Sequence, residues 1–110
     1  MRRLIGFVLT LASVTVPLAP VRAGTLVVAN KSEATVSLVD THTGESRATL
    51  PTGNAPHEVD VSPNGVLALV GNYGTRDEPG STLTLIDVPT ASVVMTIELE
   101  GYSRPHGIVW

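Results

Sequence analysis

After its first two dozen residues this chain alternates between polar and apolar positions. Thr35-Val36-Ser37-Leu38-Val39 puts Val36 and Leu38 on one face and Thr35, Ser37 and Val39 on the other, the period of two of a half-buried strand. Glu58-Val59-Asp60-Val61-Ser62 and Thr82-Leu83-Thr84-Leu85-Ile86 repeat the pattern. No stretch beyond residue 24 keeps a helical apolar period over three turns. The alternation predicts strands over 25–30, 34–40, 46–50, 57–62, 66–72, 81–87 and 92–99, with another beginning at 106–110. Turn chemistry separates them. Asp40 can bond the backbone two residues on and Gly44 supplies a positive φ, while Pro63, Asn64 and Gly65 preset a tight hairpin corner. Asp87 is read as the same kind of turn former as Asp40. The expected fold is all-β and antiparallel.

Parts of the pattern occur twice. Leu26-Val27-Val28-Ala29-Asn30 and Ala34 to Asp40 return as Leu67 to Asn72 and Ser81 to Asp87, and Ala55-Pro56-His57-Glu58-Val59 returns as Arg104-Pro105-His106-Gly107-Ile108. The offset grows from 42 residues (Asn30 to Asn72) to 49 (His57 to His106), which marks small insertions in a unit of blade length, about 40 residues. The run from Asn30 through Thr35-Val36-Ser37-Leu38-Val39-Asp40 to Pro56-His57 and Ser62-Pro63-Asn64-Gly65 resembles the YVTN-type β-propeller repeat. It departs at Val28-Ala29-Asn30, at Asn64 for the usual aspartate, and at Glu58 for the glycine kept at Gly107. The resemblance implies four-stranded antiparallel blades, about two of a ring of seven, similar to YncE-like periplasmic propellers and more distantly to lactonase and cytochrome d1 haem-domain propellers. On this phase the chain opens on the second strand of a blade and stops within the first strand of another. Either further blades belong to a longer product or copies complete a ring together; stopping in mid-strand favours the first.

Residues 1–23 read as a secretory signal peptide: basic Arg2-Arg3, an apolar run from Leu4 to Val16, and a small-residue cut after Ala23. The run is short for a permanent anchor, which needs about 20 apolar residues. Cleavage leaves residues 24–110 as propeller repeats, in the periplasm or outside, with no stable membrane span. It also removes Arg2, Arg3 and Arg22, leaving four basic residues against ten acidic ones, a net of about −6. That balance argues against nucleic acid. The absence of cysteine excludes a disulfide scaffold and a lipid-modified lipoprotein.

Propeller topology brings the loops between second and third strands, and those leading into first strands, to one rim. Tyr73 to Ser81 and Glu98 to Arg104 are read as lengthened loops there, with His57 and His106 each opening an innermost strand beside them. The candidate binding residues are therefore His57, Glu58, Arg76, Asp77, Glu78, Arg104 and His106, for a protein or small-molecule ligand. The plainer readings make the Pro-His pairs structural, through imidazoles bonded to a neighbouring blade's backbone. They make Arg76-Asp77-Glu78 a solvated tip and Trp110 core packing. No catalytic residue is assigned. Two histidines fall short of the three or four ligands zinc needs, so no metal or cofactor is expected. The chain is read as a non-catalytic scaffold. The rival is an enzyme, either lactonase-like, drawing on His57, Glu58, Arg104 and His106, or cytochrome d1-like, with His57 or His106 on haem.

Overall fold

A computed structural model describes residues 24–110; the expected leader lies outside them. Seven strands follow in order: β1 (Thr25–Asn30), β2 (Thr35–Asp40), β3 (Ser46–Pro51), β4 (Pro56–Val61), β5 (Leu67–Gly74), β6 (Pro79–Asp87) and β7 (Ser92–Glu98). They make two antiparallel meanders, β1-β2-β3 and β4-β5-β6-β7, each strand paired with its neighbours in sequence. The chain is all-β, and the two sheets have the form of successive propeller blades.

The alternation in β2 decides how the sheets stack. Val27 pairs with Leu38, Ala29 with Val36, and Val36 with Leu50, so these side chains share one face of the first sheet. That face meets the second sheet: Val27, Val36 and Leu50 pack in one cluster with Val59, Ala68, Val70, Ile86 and Val88. Val36, Ala68, Val70 and Ile86 are completely buried. Burying a side chain as large as Val or Ile contributes roughly 1.5–3 kcal/mol, so this seam holds the pair together.

The turns form as their residues dictate. Asp40 Oδ1 accepts from the amides of His42 (2.7 Å) and Thr43 (3.0 Å), and Asp87 Oδ1 accepts from that of Thr90 (2.8 Å). In the Pro63-Asn64-Gly65 corner the amide of Gly65 donates to Ser62 O at 2.8 Å, and Ser62 Oγ to Asn64 Oδ1 at 2.7 Å.

Three expectations change. The segment 73–81 is not an open loop. β5 and β6 continue to a Gly74–Pro79 pairing, closed by a turn in which Thr75 N donates to Glu78 O at 2.9 Å. A Cβ on Gly74 would lie 2.0 Å from Gly80 N, so only glycine permits this bulged neck. Residues 106–110 form no strand. They lie beside β4, the edge strand of the second sheet, but the amides of Gly107, Ile108 and Trp110 donate to its Glu58 and Asp60 carboxylates rather than to its backbone. Trp110 is accordingly half-exposed rather than in the core; its amide donates to Asp60 Oδ2 and its indole N–H to Asp60 O, both at 3.1 Å.

Candidate functional site

The end of the stack where β1 and β5 finish and β4 begins gathers side chains from four parts of the chain. His57 and Glu58 stand on β4, Tyr73 near the end of β5, Lys31 in the 3₁₀ turn after β1, and Arg104 and His106 after β7. The ring centroids of His57, Tyr73 and His106 lie 5.3, 5.5 and 5.9 Å apart in their three pairs. Lys31 Nζ and the Arg104 guanidinium lie over the Tyr73 ring, 5.5 and 5.3 Å from its centre, within cation–π range.

Glu58 is the hub of this cluster. Its Oε2 accepts from the backbone amides of Gly107 and, at 3.3 Å, Ile108. Its Oε1 lies 3.3 Å from His106 Nε2. The amide of Gly107 is the main cause that holds the Glu58 carboxyl below its ordinary range, with further help from Ile108 and the nearby imidazoles. In place of an imidazole-to-backbone bond, a carboxylate of one repeat captures the backbone of the next, and the His106 imidazole lies within ion-pair distance of that carboxylate.

The remaining candidates divide. Arg104 is committed to structure, because Nη1 donates to Thr75 O and Nη2 to Arg76 O, each at 3.0 Å, and its amide donates to Gly80 O at 2.7 Å. It clamps the segment after β7 onto the β5–β6 turn. Arg76, Asp77 and Glu78 form the exposed tip of that turn, which is held through backbone groups: the carbonyls of Arg76 and Glu78 accept from Arg104 and Asn54, and the Glu78 amide donates to Thr75 Oγ1. Their side chains are not drawn into the histidine cluster. The longer connection after β7 borders an open depression beside Ser81, lined by Leu99 and Tyr102.

Two features of this end were not anticipated. Tyr73 reads from sequence as a loop residue, yet it is the ring on which two cations and two imidazoles meet. Asn30 and Asn72, recognised as repeat markers, also carry equivalent networks. Asn30 Nδ2 donates to Thr35 Oγ1 (3.1 Å) and Ser37 Oγ (2.8 Å); Asn72 Nδ2 donates to Thr82 Oγ1 (2.9 Å) and Thr84 Oγ1 (3.0 Å). The available signal was an asparagine closing each second strand, followed by hydroxyls at alternate positions of the third.

The stack is therefore β-propeller-like, with a polar cluster at one rim. No family model and no curated protein matches the chain. Among solved structures it is similar to a chain of Kuenenia stuttgartiensis hydrazine synthase, at 25% identity and a TM-score of 0.65, over 73% of this chain and 22% of that one. The present chain thus corresponds to about a fifth of that protein's length.

Proposed function

We propose that this chain is a non-catalytic binding scaffold of the β-propeller class, exported to the periplasm or beyond, which takes a protein or small-molecule ligand at the His57–Glu58–Tyr73–His106 rim. The supporting observation is convergence: three rings and a carboxylate from separate segments meet at one end of the stack, where ligand sites are commonly built. The finer assignment to YVTN-type repeats, similar to YncE-like propellers, rests on the Asn30–Gly65 motif order. From hydrazine synthase only the strand arrangement is carried over, since fold does not transfer chemistry. A ¹⁵N–¹H correlation titration with small carboxylates and aromatic amines tests the reading. Shifts confined to residues 57–58, 73–78 and 104–108 are expected. Shifts spread over the opposite end, a Soret band in the purified protein, or lactone turnover lost in His57→Ala would overturn it.

A further inference from the structure

We propose that His57, Glu58 and His106 bind a divalent transition metal of the zinc class. The inference rests on the rim reading above and narrows its ligand to an ion.

The three residues each offer one ligand atom, and these atoms all lie within 4.8 Å of one another. Around a tetrahedral ion with bonds of about 2.1 Å, neighbouring ligand atoms stand about 3.4 Å apart. His106 Nε2 and Glu58 Oε1 are already 3.3 Å apart, so one edge of the polyhedron has the right length. The edges to His57 need to close by at most about 1.4 Å, a small rotation for an exposed imidazole. The carboxylate is already oriented. The amides of Gly107 and Ile108 hold Oε2, which leaves Oε1 for the ion, as outer-shell hydrogen bonds commonly do at metal centres.

Two imidazoles and one carboxylate suit Zn²⁺, Cu²⁺ or Ni²⁺ and are a poor set for Ca²⁺ or Mg²⁺, which favour all-oxygen shells. Three protein ligands leave a fourth position for water or a donor atom of a ligand. Lys31 and Arg104, both against Tyr73, oppose a dication, so micromolar rather than tighter binding is expected. Arg104 opposes it less, because two backbone carbonyls share its charge.

Isothermal titration of the purified full chain with ZnCl₂ at neutral pH tests the site. About one Zn²⁺ per chain is expected, with no heat from MgCl₂ or CaCl₂. His57→Ala, His106→Ala and Glu58→Gln should each weaken binding about tenfold or more, whereas His42→Ala, at the opposite end, should not change it. Imidazole NMR resonances of the unmodified protein provide a readout independent of any variant: Zn²⁺ should move those of His57 and His106 and leave His42 alone. Absence of stoichiometric Zn²⁺ uptake, or uptake that survives the His57→Ala/His106→Ala double substitution, overturns the proposal. Repeating the carboxylate titration in chelator separates the two readings. Rim shifts that persist there without Zn²⁺ uptake sink only the metal site, and loss of both sinks the rim as a binding surface.

Discussion

Gly53→Ala tests how the two sheets are locked together. Gly53 lies in the connection from β3 to β4, and a Cβ there would sit 2.5 Å from Thr82 Oγ1, 2.7 Å from Asn72 Nδ2 and 2.9 Å from Asn72 Cγ. None of these atoms is the free end of a flexible side chain. Asn72 is completely buried, and its Nδ2 is tied to Thr82 and Thr84, the latter only 1% exposed. The methyl must therefore displace the loop or break the network. Overpacking of this kind costs about 1–3 kcal/mol. Expelling Asn72 loses two hydrogen bonds at about 1 kcal/mol each. Either route places the destabilisation at about 1–3 kcal/mol.

Equilibrium urea unfolding, followed by far-UV circular dichroism, measures the effect as a lower midpoint at unchanged slope. Thr82→Ala removes the nearest contact, so the double variant should recover part of the loss, with a coupling energy of at least about 0.5 kcal/mol. A Gly53→Ala protein within about 0.5 kcal/mol of the parent would refute the claim that this loop is packed hard against Asn72.

Three further outcomes follow from particular contacts. Ala91 holds φ +52° where the first repeat has Gly44 at +75°, so Ala91→Gly should raise stability by about 1 kcal/mol, read as a higher urea midpoint. Backbone amides hold Asp40 and Asp87 below the ordinary 3.8 of an aspartate, so their stabilisation is complete above that value and is lost as pH falls through the lower folded-state pKa. Thermal melts should therefore fall on acidification below about pH 4, and Asp40→Asn, which keeps an acceptor without a charge, should flatten that fall. Arg104→Ala removes the clamp on the β5–β6 turn, so amide hydrogen exchange at residues 75–78 should accelerate while the β2 amides stay protected.

The sheets were legible because period-two alternation and turn residues are local signals. Val36 and Leu38 could be assigned to one face, and Asp40 and Pro63 to turns, without knowing any distant contact. The β5–β6 extension was not legible. Tyr73, Gly74, Pro79 and Gly80 read as loop, and only the bulge at Gly74 lets their backbone continue the ladder. Residues 106–110 echo the start of β4 in sequence, but the carboxylates of Glu58 and Asp60 take their amides before any backbone ladder forms, and that is a property of the neighbour. Arg47 escaped notice for a similar reason: its guanidinium donates to Thr25 Oγ1 (2.8 Å) and to the carbonyls of Val88 and Pro89 (3.2 Å each), bridging the sheets across more than 40 residues.

At the rim, the repeat persists in the backbone while chemistry arises where its side chains differ. Ala55 and Arg104 both precede a proline, and both hold positive φ, +46° and +56°, so the two Pro-His segments enter their positions in the same way. That shared geometry brings His57 and His106 into register as neighbours, 5.5 Å between ring centres. Identical side chains around them would give a row of structural histidines. Instead Ala55 becomes Arg104, which clamps the turn, and Glu58 becomes Gly107, whose amide donates to the Glu58 carboxylate. The two copies are complementary at this position, one supplying the acceptor and the other the donor. Had the first copy carried the glycine of the second, the third ligand atom would be missing, so the candidate metal site depends on Glu58, where the first copy departs from the repeat.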